Sequence, residues 1–195
     1  TGSSVLDIVE GLSDLSRRAR MYHMQGLSYR EYLALFHKIN IPVYSLEQVI
    51  NQQVELPNGF LPLQYFNDYL QKGYYPFSAQ DDDFASYIRQ VVNVTLENDI
   101  PQYAELTAAT ARKLKQLLGI IAQSAPFKPN FTAIGGQINI SRNVVADFCT
   151  YIEKSGLISQ LREPTGGIMA LGKVEKIYLD NPVLIHVLGD PMVGI

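Results

Sequence analysis

The sequence predicts a mainly α-helical protein that ends in a winged helix-turn-helix with a two-stranded β wing. Apolar residues recur at helical spacing through most of the chain, and hydroxyl residues stand where helix N-caps are expected. β-rich runs occur near the end, at 157–162 and 174–179. No alternation in residues 1–110 supports an open sheet, so the first half is expected to be helical.

Helices of the first half are predicted from their caps and breaks. Ser28 is expected to cap a helix from about Tyr29 to Lys38, with Glu31 at the capping-box position. Ser45 is a second cap, and Asn58-Gly59 between two prolines marks a turn. Further helices are expected over 62–73 and from Phe84 to about Asn98, where the residues at helical spacing are Tyr87, Ile88, Val91, Val92 and Thr95.

The second half has the order of a winged helix. An amphipathic helix over 107–124 places Leu114, Leu117, Leu118 and Ile121 on one face. A short helix or turn follows, and then a helix starts at Ser141 and stops at Gly156. A two-stranded ribbon completes the layout, so we predict that the second of the paired helices is the recognition helix.

The length of the chain and the uneven distribution of its charge both agree with a division into two parts. The chain has 195 residues, and residues 1–110 carry 7 Lys or Arg against 13 Asp or Glu, which gives −6. Residues 111–195 carry 9 against 6, which gives +3. We place the boundary between 1–105 and 106–190, the second part being the winged helix. No apolar run reaches about 18 residues, so no membrane span is expected.

Cysteine and histidine usage argues against a metal centre. Cys149 is the single cysteine, which excludes an internal disulfide, and the three histidines lack metal-ligand spacing. A reducing, cytoplasmic setting is expected. Thr1 stands where an initiator Met would, which is expected of an excised piece of a longer protein.

Several segments together resemble one family, the bacterial and archaeal AAA-type P-loop ATPases that carry an uncharacterised C-terminal region. The matching segments are TGSS at 1–4, LSRRA at 15–19, GLSYREYL at 26–33, GYYP at 73–76, NDIPQY at 98–103, ISRNVVADFCTYIEKSGLI at 140–158 and KVEKIYLDNPVL at 173–184. The resemblance implies that residues 1–105 are the end of an ATPase core plus a helical lid. It implies that the nuclease-like C-terminal domain lies beyond the winged helix.

The same resemblance implies sensor-like residues near the start of the chain. Ser3 or Ser4 would contact the γ-phosphate or the attacking water, and Arg18 would neutralise developing charge, with Arg17 as the alternative. The chain contains no G-x-x-x-x-G-K-[ST] loop. ATP and Mg²⁺ would therefore be bound only by the parent protein, and this chain alone is expected to be inactive.

Candidate DNA contacts lie on the winged helix. Arg142 and Asn143 could read base edges or bind phosphate, and the backbone candidates are Lys128, Lys173 and Lys176. Asp147 at the centre of the same helix face would repel phosphates. DNA contact and protein docking therefore both remain open.

Two further classes remain beside the ATPase fragment: a winged-helix transcriptional regulator and a non-enzymatic interaction module. The expected partners are the missing ATPase core and C-terminal domain of the same protein, with DNA and a second copy of the chain left open.

Overall fold

A computed structural model describes Tyr22 and residues 24–80, 83–163 and 173–189. These residues are mainly helical, with a two-stranded antiparallel sheet near the C-terminus, which confirms the predicted fold class. Contacts divide the chain into two units: one covers His23–Phe84, and the other contains the described residues from Ala85 onward.

The first unit is built from short helical segments. They are α1 (Tyr29–His37), α2 (Leu46–Ile50) and α3 (Phe66–Asp68). A π-helical turn over Tyr69–Gly73 continues α3, and a 3-10 turn spans Pro76–Gln80. The predicted caps Ser28 and Ser45 both form capping boxes.

Aromatic packing holds α1 against α3. Tyr29 lies 5.2 Å from Phe66 and 5.3 Å from Tyr69 between ring centroids, and Tyr32 is buried. The Tyr69 hydroxyl donates to the Leu27 carbonyl at 2.9 Å. These tyrosines therefore contribute apolar area while their hydroxyls reach polar partners, as amphipathic rings usually do.

The second unit begins within α4 (Phe84–Val94), since all residues of this helix after Phe84 belong to it. A π-helical turn over Thr95–Asp99 follows, and then α5 (Ile100–Tyr103). The buried residues of this stretch are spaced by four: Ile88, Val92, Leu96 and Ile100. Tyr87 and Val91, expected on the same face, are 44% and 42% exposed. Residues four apart lie on the same face of a helix, so one narrow row of side chains is buried here.

Helix α6 (Ala108–Ser124) is the centre of the second unit. Its predicted apolar face is fully buried at Leu114, Leu117, Leu118 and Ile121. The segment Thr95–Tyr103 packs against α6, so the contacts group Ala85 onward with the winged helix. The division therefore falls earlier in the chain than the expected boundary after residue 105.

The remaining elements follow the winged-helix order. Helices α7 (Phe131–Ile138) and α8 (Arg142–Lys154) precede β1 (Ile158–Arg162) and β2 (Val174–Leu179), and α9 (Pro182–Leu188) follows the wing. The strands pair antiparallel with Ile158 opposite Leu179 and Gln160 opposite Ile177. Phe127 forms a single β-bridge with Ile177, which adds a third short extended segment that the sequence did not indicate.

Candidate partner-binding surface

The recognition helix α8 is fixed by its cap and its apolar face. The Ser141 hydroxyl accepts a hydrogen bond from the Val144 amide, as predicted. Val145, Phe148, Cys149 and Ile152 are buried, and α8 packs on α6 and α7. Burial raises the pKa of the Cys149 thiol to about 12, so this cysteine is a core residue without thiolate character.

The outward face of α8 begins with the two residues predicted to contact DNA. Arg142 and Asn143 are exposed, and Arg142 makes no ion pair with any residue that the structure describes. Asp147 lies exposed one turn further along. The Thr150 hydroxyl donates to the Ala146 carbonyl at 3.0 Å and is occupied within the helix. This face therefore carries opposite charges one turn apart.

Glu175 on β2 pairs with two of the predicted phosphate-binding lysines. The Lys128 ammonium donates to both carboxylate oxygens, at 3.0 and 2.8 Å, and Lys173 Nζ lies 3.9 Å from Oε1. The hydrogen bond from Lys128 holds the pKa of Glu175 below its ordinary value, and the same bond raises the pKa of Lys128. The single negative charge of Glu175 therefore offsets one of these two positive charges, chiefly that of Lys128, whose ammonium it accepts directly.

Lys176 faces away from this cluster. It is exposed and stands opposite Leu161 across the ribbon, on the side of the wing that also carries Tyr178. Within the described ranges it forms no ion pair. Lys176 and Arg142 are therefore the two predicted DNA-contact cations that form no ion pair with a described residue.

Glu153 joins the recognition helix to the wing. Its carboxylate accepts hydrogen bonds from the Gln160 amide at 2.8 Å and from the Gln160 side chain at 3.0 Å. The Arg162 guanidinium adds two bonds, at 3.2 and 2.6 Å. These hydrogen bonds hold the strand against α8, and the carboxylate of Glu153 balances the charge of Arg162.

Sequence reasoning missed both glutamates. Glu175 lies 47 residues from Lys128, and no spacing rule joins a loop lysine to a strand residue at that separation. Lys173 and Glu175 have opposite charges and stand two residues apart, and alternate strand residues share one face. This pattern, with Lys176 beside it, was the signal that the sequence offered. The expected sensor residues Ser3 and Ser4, with Arg17 and Arg18, lie outside the described residues.

The described part of the chain holds no group of three or more His, Cys, Asp or Glu that could bind a metal ion. None of its helices combines the length and apolarity that crossing a membrane requires.

Comparison with known proteins places the chain among proteins without an assigned role. Residues 63–191 match the family described as a domain of unknown function, DUF8612. The chain belongs to this family. The matched range begins before α3 and ends after α9, so it includes the whole winged helix.

One curated relative is an uncharacterised protein, MJ1637, of Methanocaldococcus jannaschii, which is 25% identical over 203 residues. The match covers 97% of this chain and 42% of the relative, so the chain spans about two fifths of that protein's length. No solved structure matches the chain.

Proposed function

We propose that the winged helix of this chain binds a protein partner, and that it does so as the lid and winged-helix portion of an AAA-type ATP-hydrolysing protein. The observation that carries the docking role is the charge arrangement on the winged helix. Glu175 pairs with Lys128 and lies within 3.9 Å of Lys173, Glu153 holds Arg162, and Asp147 interrupts the exposed face of α8.

This arrangement is poorly suited to duplex DNA. Nonspecific affinity for a duplex comes from cations that displace counterions from the phosphates, and a carboxylate beside such a cation lowers its contribution. The part that contains the winged helix, residues 111–195, carries a net charge of only +3, which is small for a DNA-binding domain. Winged helices occur with many functions, so the surface rather than the fold decides between partners.

The ATPase part of the proposal is supported by the segment resemblance. In a longer protein Ser3 or Ser4 would donate a hydrogen bond where charge develops on the transferred phosphoryl group, and Arg18 would balance that charge. ATP and Mg²⁺ would be held by residues that this sequence does not contain. The role of the present chain would be to pass the nucleotide state to the winged helix.

A DNA-binding measurement tests the docking role. With a fluorescent duplex of about 20 bp at about 50 mM salt, we expect no change in anisotropy up to about 10 µM protein, because too few free cations face outward. Salt-sensitive binding at micromolar protein would contradict the proposal. It would favour a second candidate, a DNA-binding regulator in which Arg142 and Lys176 contact the duplex.

The variant Glu175→Gln tests whether the carboxylate of Glu175 limits DNA binding by the neighbouring lysines. Removing this carboxylate frees Lys128 and Lys173, so weak DNA binding should appear or strengthen, with a salt dependence steeper by up to about two phosphates. Glu97→Gln is the matched control, since Glu97 also pairs with a lysine, Lys115, at 2.5 Å, but on elements other than the recognition helix and the wing. Equal behaviour of the two variants would show that Glu175 does not set the DNA affinity.

A further inference from the structure

The turn over Asn58-Gly59 is exposed on the first unit. Both residues are exposed, and the Phe60 amide donates to the Pro57 carbonyl at 3.0 Å, which closes the turn around them. Gly59 has a φ of +76°, in the left-handed region that glycine adopts without strain. A Cβ placed at Gly59 would meet no atom within 4 Å. The backbone of this turn therefore lies in open space.

Two groups that can react with each other meet in this turn, and both are free. The side-chain amide of Asn58 and the backbone amide of Gly59 form no hydrogen bond with any residue that the structure describes. Attack of the Gly59 nitrogen on Cγ of Asn58 closes a five-membered ring, and an intramolecular attack of this kind has a large advantage over attack by water. Because Gly59 has no side chain, nothing on that residue hinders the approach of its nitrogen.

Asn51 lies in the same part of the chain and is also exposed, but it lacks both features. The residue that follows it is Gln52, whose side chain crowds the backbone nitrogen. The Gln52 amide also donates to the Val49 carbonyl at 3.2 Å, so the nitrogen that would attack the Asn51 side chain is occupied. Asn51 is therefore an internal control for exposure without reactivity.

Two asparagines of the second unit show the same contrast. The amide that follows Asn143 donates to the Ser141 hydroxyl at 3.3 Å. Asn181 precedes a proline, which has no N–H group to serve as the nucleophile. Asn58 is the only asparagine of the chain that precedes glycine.

We propose that Asn58 is a site of spontaneous deamidation in the folded chain. The Gly59 nitrogen loses its proton to solvent base and forms a bond to Cγ of Asn58. The bond from Cγ to Nδ2 breaks, and Nδ2 takes up a proton and leaves as ammonia. Water then opens the cyclic imide at either of its carbonyl groups, which gives aspartate or isoaspartate. One water molecule is consumed for each ammonia released.

The reaction changes the charge and the backbone of the turn. Either product adds one negative charge to a segment, 43–63, whose only charged residues are Glu47 and Glu55. Isoaspartate also places an additional carbon in the main chain, within the turn that the Phe60 to Pro57 hydrogen bond closes. This site is separate from the winged helix and does not depend on the function proposed for it.

Peptide mapping by mass spectrometry tests the proposal on the 195-residue chain. The folded protein is incubated at mildly alkaline pH in water labelled with heavy oxygen, and it is then digested with trypsin in ordinary water. Lys38 and Lys72 bound a tryptic peptide that contains both Asn51 and Asn58. Label enters only during the incubation, because solvent supplies the new oxygen atom. We expect labelling at Asn58 roughly tenfold faster than at Asn51, as a mixture of aspartate and isoaspartate.

Asn58→Gln is the matched variant, because its side chain would have to close a larger ring. Its peptide should lose the rapid labelling, while circular dichroism shows that the variant remains folded. Asn58→Asp carries the charge of one product and should elute from an anion exchanger with the new acidic species of the wild-type chain.

Three outcomes would overturn the proposal. One is an unlabelled Asn58 after an incubation that fully converts a free peptide with the sequence of residues 56–60. Another is equal labelling at Asn51 and Asn58. The third is a product that contains aspartate without isoaspartate, since direct hydrolysis rather than the cyclic imide would then be the route.

Discussion

Two glutamates on the winged-helix unit decide how much positive charge its surface presents. Glu153 and Glu175 both accept charge-assisted hydrogen bonds from side chains distant in sequence. Their effects differ. Glu153 lies against the wing and is two-thirds or more shielded from water, so its pair contributes to stability. Glu175 pairs with a lysine that is mostly exposed, so its main effect is on the surface potential.

Glu153→Gln should destabilise the second unit. The variant loses the charge that holds Arg162 and weakens the bonds from Gln160, and hydrogen bonds to charged groups contribute about 1.5–3 kcal/mol, less here because the pair is partly solvated. We expect a loss of about 1–2 kcal/mol in urea unfolding. Asp147→Asn, on the exposed face of the same helix, is the control and should change stability by less than about 0.5 kcal/mol.

The double variant Glu153→Gln/Arg162→Gln should cost little more than Glu153→Gln alone, because both changes remove the same contact. Fully additive losses would show that the two side chains are not coupled.

Glu31 makes the capping of α1 sensitive to pH. Hydrogen bonds from the Ser28 hydroxyl and backbone amide hold the pKa of this carboxyl below its ordinary value. A depressed folded-state pKa means that the contribution to stability is present above the unfolded pKa and is lost as the pH falls through the folded one. An NMR titration should find the low pKa of Glu31 in the native chain and a pKa closer to the ordinary value in Ser28→Ala, which loses the hydroxyl hydrogen bond and keeps the backbone one. Equal values in both would contradict the capping box as its cause.

At the scale of elements, the turn between α7 and α8 depends on one of two adjacent glycines. A Cβ at Gly135 would lie 2.5 Å from the Ile140 carbonyl oxygen, while a Cβ at Gly136 would meet nothing within 4 Å. The Asn139 and Ile140 amides both donate to the Gly135 carbonyl, so the chain must turn close to this residue. The turn between the two helices therefore requires that residue 135 has no side chain, whereas it does not depend on the glycine at position 136.

Substituting each glycine separates these roles. Gly135→Ala should destabilise the chain by about 1–3 kcal/mol, since the turn has to move away from the added methyl group. Gly136→Ala should be neutral or stabilise by up to about 1 kcal/mol, because alanine is the better helix former. Thermal unfolding of the two variants side by side provides the measurement. The reverse order of stabilities would contradict the assigned turn geometry.

At the scale of the whole molecule, two compact units are joined where α4 begins. One has an aromatic core, and the other has the winged helix with its ion pairs. A family model covering residues 63–191 includes parts of both, so the family unit is not the winged helix alone.

ATP turnover is the prediction that belongs to this scale. The purified chain should show no hydrolysis above a buffer control and no tight ATP binding, because the sequence lacks a phosphate-binding loop. A coupled phosphate-release assay with Mg²⁺ and ATP measures the first, and calorimetric titration measures the second. Turnover by this chain would show that the ATPase resemblance assigns it the wrong part of the machinery.

Local signals in the sequence predicted several helix starts and the buried face of the central helix, whereas the helices expected over 62–73 and from Phe84 to about Asn98 pass into π-helical turns after Asp68 and Val94. Ser28, Ser45 and Ser141 cap helices where predicted, and the apolar face of α6 is the buried one. These features depend on residues within one or two helical turns of each other, so the local pattern of residue types predicts them.

Only the tertiary structure decided which predicted contact residues are free. Lys128 was predicted to contact phosphate, yet its ammonium pairs with the carboxylate of Glu175 on β2. The tertiary structure likewise divides the contacts between residues 84 and 85, since Leu96 and Ile100 are buried in the second unit. Pairing between residues that are distant in the sequence depends on how the elements pack, so the spacing of residues along the chain does not predict it.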